Sequence, residues 1–187
     1  MTVGDINFLF ANYPPETTMT HGQLWAPWRL DYVLTPKDEV PKGCFICRYL
    51  IESADAANFV VHRGQHSVVL LNRYPYNNGH LLIAPLAHKA SLSELNTDEL
   101  LEIQQQLVLM TEALQAVLNP DGFNIGVNLG RVAGAGLPGH IHWHIVPRWG
   151  GDTNFMTVCA DTHVIPQSLS ELYRLLTEHL AKLPHSR

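Results

Sequence analysis

The stretch His140-Ile141-His142-Trp143-His144-Ile145-Val146 places three histidines on alternate positions, with large apolar residues between and after them. Alternation with a period of two marks a β-strand rather than a helix. On a pleated strand His140, His142 and His144 project from one face and Ile141, Trp143 and Ile145 from the other, with neighbours on each side roughly 7 Å apart. One face is then chemical and the other packed. A half-exposed strand that carries three imidazoles by chance is the plain alternative. The threefold repetition favours a metal or phosphoryl-transfer site.

The surrounding chain bounds what that site can serve. Its 187 residues, 46% of them hydrophobic, are enough for one good core, read as a domain over 24–187 preceded by an N-terminal arm over 1–23. A formal charge of −5 with only 16% charged residues argues against a nucleic-acid polymer, whose binding needs clustered Lys and Arg. Any nucleotide partner is therefore small. No positively charged segment leads into an apolar run at the N-terminus and no stretch approaches a membrane span, so the expected setting is cytoplasmic and without membrane contact. Of three cysteines, Cys44-x-x-Cys47 fits a reducing compartment and a metal or redox pair better than a disulfide framework, and Cys159 reads as a small buried apolar side chain.

In chain order, Leu24-Trp25-Ala26-Pro27-Trp28 reads as a docked ribbon or dimer contact anchored by its tryptophans. Residues 44–53 read as a helix opening at the cysteine pair, and 58–63 and 67–71 as strands joined by a turn at Gly64-Gln65. Residues 72–80 form a loop, in which Gly79 supplies backbone freedom, and 81–84 the next strand. Thr97 is expected to cap an amphipathic helix that reaches Leu118, with Asp98 and Glu99 in its first turn and Gln104, Gln105 and Gln106 on its wet face. Turn chemistry at Asn119-Pro120-Asp121-Gly122 ends it, 123–127 is a strand, 157–165 a further strand, and 166–183 a terminal amphipathic helix. The loop from Asn128 to Gly139 carries four glycines in twelve residues. It is either a plain connection or a run of backbone N–H groups that can approach phosphate oxygens.

Two of these stretches resemble a known family. His140-Ile-His-Trp-His-Ile-Val is similar to the motif of the histidine triad (HIT) family, and Asn72-Arg-x-Pro-x-x-x-Gly79-His80 is similar to its nucleotide loop. The resemblance covers 44–152. The continuation Arg148-Trp149-Gly-Gly-Asp-Thr-Asn-Phe155 and the early Trp-Ala-Pro-Trp-Arg segment resemble the diadenosine tetraphosphate phosphorylase-like bacterial branch. The resemblance implies an α+β HIT-like fold: a five-stranded antiparallel sheet with a long helix packed on one face and a C-terminal helix, in a homodimer.

It also implies an enzyme that cleaves dinucleoside polyphosphates, by phosphate or water, through a covalent nucleotidyl-histidine. A neutral imidazole is a competent nucleophile near neutral pH, and the family's middle histidine is His142 here. His144 is then a donor to phosphate oxygens, assisted by backbone N–H groups of 134–139, Gly136 and Gly139 included, and His80 supports the site from beneath. Asn72 carries over as a ribose contact and Asn128 as a phosphate or ribose contact, with Asn77, Arg148 and Trp149 as further nucleotide-binding candidates. Metal-bearing relatives place zinc ligands at positions matching Cys44, Cys47, His88 and His140, a set that suits a closed, structural tetrahedral site. The other reading of those positions is two buried thiols and a surface histidine. No organic cofactor is expected. A nucleoside phosphoramidase, a nucleotidyltransferase, or a regulatory nucleotide-binding protein with little turnover are the alternatives. One departure stands out: many relatives carry a polar residue shortly before the triad, where this chain has Gly136-Leu137-Pro138-Gly139, leaving Arg131, the backbone or a partner subunit to replace it.

Overall fold

A computed structural model describes residues 43–152 and 165–183. The N-terminal arm, the Trp25–Trp28 segment, Cys159 and nearly all of the strand expected at 157–165 lie outside the described residues. Within them the elements run α1 (Phe45–Glu52), α2 (Asp55–Asn58), β1 (Val60–Arg63), β2 (Ser67–Leu71), β3 (Leu81–Pro85), a 3-10 turn (Leu92–Glu94), α3 (Thr97–Leu118), β4 (Gly122–Val127), β5 (Trp143–Arg148) and α4 (Leu169–Leu180).

The five strands form one antiparallel sheet in the order β1-β2-β3-β5-β4, as the resemblance implies. Alternation decides the layers. Val69, Leu71, Leu81, Ile83, Trp143 and Ile145 face α3 and α4, where Ile103, Met110, Leu114, Leu172 and Leu176 close a continuous core. Val60, Val68, Leu70, Leu82 and Ala84 face the other way and are covered by Ile46 and Tyr49 of α1. Among the described residues that second cover stops short of β5 and β4, where Val146 is half-buried and Asn124 and Gly126 are exposed.

Four local expectations are corrected. Asn96, not Thr97, caps α3: its Oδ1 accepts from Glu99 N at 2.9 Å while Glu99 Oε2 accepts from Asn96 N at 2.8 Å, so one residue pair satisfies two orphan donors of the first turn. Gln106 is buried rather than wet, because it lies three residues from Ile103 and four from Met110 on the packed stripe. The short helix α2 occupies the start of the strand expected from 58. β5 begins at Trp143, not His140, since His140 and His142 make contacts that a ladder position would not allow.

Candidate active site and metal centre

His142 and His144 arrive at the sheet from β5 and its lead-in, and His80 from the end of the nucleotide loop, one residue before β3. The loop is drawn tight by Gly79, whose φ of +80° suits glycine. Asn72 N donates to His80 O at 2.9 Å and closes the loop at its base. Its tip is pinned by Asn77, whose amide donates to Pro147 O at 3.1 Å and to Asp152 Oδ2 at 3.0 Å.

Hydrogen bonding orders each ring. The backbone N–H of Tyr76 donates to His80 Nδ1 at 3.0 Å, with the Asn72 amide 3.2 Å from the same atom. That nitrogen therefore carries the lone pair, and the proton sits on Nε2, which lies 2.9 Å from His144 Nδ1. His144 accepts at Nδ1 and so keeps its own proton on Nε2; Asn128 Nδ2, 3.4 Å away, is itself a donor and makes no hydrogen bond to that N–H. His142 is ordered in the opposite sense: its Nδ1 is 2.8 Å from the carbonyl of His140, an acceptor only, so Nδ1 bears the proton and Nε2 the lone pair. The His142 and His144 rings meet edge to face with centroids 5.0 Å apart. Burial, then the proximity of His144 and His142, pulls the His80 pKa down to about 3. Burial and His142 bring His144 to about 4. Both rings are neutral near pH 7, as this tautomer chain requires.

The Cys-x-x-Cys pair opens α1, with Cys44 as N-cap. Cys44 Sγ lies 3.1 Å and Cys47 Sγ 3.6 Å from His140 Nδ1, and Cys47 Sγ lies 3.3 Å from His88 Nδ1. One donor atom from each of the four residues falls within 4.8 Å of all the others, a spacing compatible with tetrahedral zinc bound by two sulfur and two nitrogen ligands. His140 Nε2 donates to Pro85 O at 2.9 Å, which turns the Nδ1 lone pair toward the sulfurs. Burial, with Cys44 next, pushes the Cys47 thiol pKa up, and a bound cation would favour its ionised form. The donor set fits a metal ion.

Not every candidate meets the histidines. Gly139 lies against His88, its position for a side chain 3.7 Å from His88 Nε2, while among the described residues nothing lies within 4 Å of the same position at Gly136. Arg148 is held by Asp152 and by Asn124 Oδ1 at 2.8 Å. Trp149 donates from Nε1 to Asn119 O at 3.2 Å. Leu137 packs with Cys44, Phe45 and Leu86 against the second core, and Arg131 is exposed. The sequence reading missed Tyr76, whose exposed ring stacks on His144 with centroids 5.9 Å apart and planes 22° apart, and tilts over His80 at 4.6 Å. No periodicity reaches a loop tip, so the one signal for Tyr76 was its place inside the nucleotide-loop motif.

Two histidine rings of opposed tautomer in edge-to-face contact, a glycine-rich loop and an adjoining Cys2His2 cluster on a five-stranded antiparallel sheet define a histidine triad protein. The HIT domain matches residues 53–151, and the chain belongs to that family. It is 36% identical over 167 residues to a Mycobacterium tuberculosis protein named AP-4-A phosphorylase, covering 87% of this chain and 86% of that one. Among solved structures, a zinc-bound histidine triad family protein from Mycobacterium smegmatis is 28% identical with a TM-score of 0.60, covering 75% of this chain and 94% of the other. A hypothetical histidine triad nucleotide-binding protein from Sulfolobus tokodaii matches with 25% identity and the same TM-score of 0.60, over 74% and 92% of the two chains. Among the described residues no helix is long and apolar enough to cross a membrane.

Proposed function

We propose that this chain cleaves dinucleoside polyphosphates, diadenosine tetraphosphate among them, through a nucleotidyl intermediate on His142. The observation that carries the reading is the opposed tautomers of two touching rings: His142 offers a lone pair at Nε2 and His144 a proton at Nε2. The likeness to a protein named AP-4-A phosphorylase supports the substrate class.

His142 Nε2 forms a bond to the α-phosphorus, the α–β P–O bond breaks, and the nucleoside polyphosphate leaves with the bonding electron pair. The positive charge that develops on the ring is shared with the His140 carbonyl through Nδ1–H. His144 Nε2–H donates to a non-bridging oxygen, and Asn128 with the backbone of the following loop meets the same phosphate. An oxygen of phosphate or water then attacks the phosphorus, the P–N bond breaks with its electrons returning to the imidazole, and the acceptor's surplus proton passes to solvent.

Cys44, Cys47, His88 and His140 are the proposed holders of one zinc ion. When bound, it supplies a structural cross-link between α1, the segment after β3 and the entry to β5, with no ligand position open to a reacting water. The likeness to the zinc-bound mycobacterial protein supports this. A homodimer in a cytoplasmic, reducing setting completes the proposal, the latter supported by Cys44 and Cys47 as free thiols.

The test is incubation with diadenosine tetraphosphate, with and without phosphate, and separation of the products. ADP with ATP identifies phosphate as acceptor, and AMP with ATP identifies water. Tight binding with no turnover under either condition overturns the enzyme reading in favour of a regulatory nucleotide-binding protein.

A further inference from the structure

Beyond His144 the open face of the sheet continues. Residues 144, 146 and 148 share one face of β5, and their partners across the ladder in β4 are Gly126, Asn124 and Gly122. Directly opposed residues point to the same side, yet among the described residues a Cβ at Gly126 or Gly122 meets nothing within 4 Å. The floor beside His144 and beside Arg148 is therefore bare backbone. A pocket of about 310 Å³ opens on it, lined by Tyr76, Asn77, Asn124, Val146, Arg148 and Asp152. Tyr76, 56% exposed and stacked on His144, joins this pocket to the reacting histidines.

Its lining chooses the class of ligand. Arg148 donates from Nε and Nη2 to Asp152, at 2.5 and 3.2 Å, and from Nη1 to Asn124 Oδ1. An arginine paired in this way has little net charge to offer a phosphate but keeps a flat guanidinium face for stacking. Tyr76 adds an aromatic face and Val146 an apolar one. With its carbonyl engaged by Arg148, Asn124 retains amide N–H donors. A flat, uncharged ring with acceptors on its edge suits this lining, and a nucleobase is such a ring.

The direction of the reaction places that base. In-line displacement at phosphorus sets the attacking and departing atoms on opposite sides. With attack from His142, the departing group lies toward His144, and the strand leads on to Val146 and Arg148, same-face neighbours about 7 Å apart. We propose that this pocket is a subsite for the base of the departing nucleotide, so that the protein reads both ends of a dinucleoside polyphosphate. The inference rests on the dinucleoside polyphosphate reading given above.

The test compares kcat/KM for diadenosine tetraphosphate, which releases a nucleoside triphosphate, with that for adenosine 5′-tetraphosphate, which releases bare triphosphate. The wild type is expected to favour the first by roughly tenfold, the worth of one stacked base. Gly126→Val keeps strand propensity while setting a branched side chain on the floor beside His144, and Tyr76→Ala removes the stacking wall. Both are expected to bring the ratio of the two substrates close to one. A wild-type ratio near one, or a ratio retained in both variants, overturns the subsite while leaving the enzyme reading intact. Cleavage of neither substrate by the wild type overturns that reading and the subsite with it.

Discussion

His142 donates its Nδ1 proton to the backbone carbonyl of His140, 2.8 Å away, while the His140 ring is turned onto the two cysteine sulfurs. Two residues apart, one imidazole is thus turned to the proposed metal cluster and the other to the proposed phosphoryl-transfer site. A proton held on a carbonyl is not shared with Nε2, so the nucleophilic lone pair is in place before substrate arrives.

Replacing that ring removes the bond-forming atom. His142→Asn is expected to lower kcat at least about 10³-fold, because the remaining donors cannot substitute for a missing nucleophile. Binding of diadenosine tetraphosphate is expected to survive. Initial rates, equilibrium binding and the trapping of labelled nucleotide on the protein check the three parts separately. Normal turnover, or label retained in the variant, sinks the assignment.

His80 meets His144 Nδ1 at 2.9 Å, and its proposed effect on the reaction runs through that contact. In His80→Phe the tautomer of His144 loses its partner, and kcat is expected to fall roughly 10²-fold with a smaller change in KM. Nitrogen NMR of the His144 ring gives a second readout: a purely structural role would leave the Nε2–H tautomer in place.

Much of this arrangement was legible in the residues. The alternating histidines, the Asn72 to His80 loop and the Leu-rich run after Asn96 carry their patterns within one short stretch each. The metal cluster needed the family resemblance, because Cys44 and His140 lie 96 positions apart and no local spacing joins them. What stayed hidden depended on competition between neighbours. Asn96 and Thr97 are both able caps, and only the reciprocal bond with Glu99 decides between them. An unbroken strand from His140 was the natural reading of the alternation, but the His140 ring is drawn to Cys44 and Cys47, and the ladder starts at Trp143.

Gly79 is the point where the nucleotide loop has no slack. Its φ is +80°, and a Cβ there would lie 2.8 Å from both Leu118 Cδ1 and Pro147 Cγ. Leu118 can yield, but the proline ring cannot. Gly79→Ala is expected to cost about 2–3 kcal/mol from backbone strain and overpacking together. A lower urea midpoint at unchanged slope is the expected record. Unchanged stability would show that the loop relaxes freely.

Acid is expected to weaken the fold through two rings of the candidate site. His80 and His144 titrate at about 3 and about 4 in the folded protein, against 6.5 for an ordinary histidine. Between pH 6.5 and about 4 the unfolded chain takes up protons at both positions while the native state does not. Stability therefore falls as pH drops through that window and levels off once the native rings protonate. His80→Gln is expected to remove its share of the slope. Urea midpoints measured across the window check this, and equal slopes in variant and wild type would contradict it.

The metal prediction turns on the difference between holding a fold and running a reaction. With donor atoms of Cys44, Cys47, His88 and His140 all within 4.8 Å of one another, a bound zinc would have every tetrahedral position taken by protein, and His140 meets the His142 ring through its backbone carbonyl. Native mass spectrometry is expected to find one zinc per chain, and Cys47→Ser none. An ion present at about 1,000 times its dissociation constant contributes roughly 4 kcal/mol of stability, which for a domain of this size corresponds to a loss of about 8–16 °C in Tm on its removal. Well below that lowered Tm the Cys47→Ser protein is expected to keep measurable turnover, because neither His142 Nε2 nor His144 Nε2 is a ligand. Complete loss of turnover from a folded, metal-free protein would instead place the ion in the reaction itself.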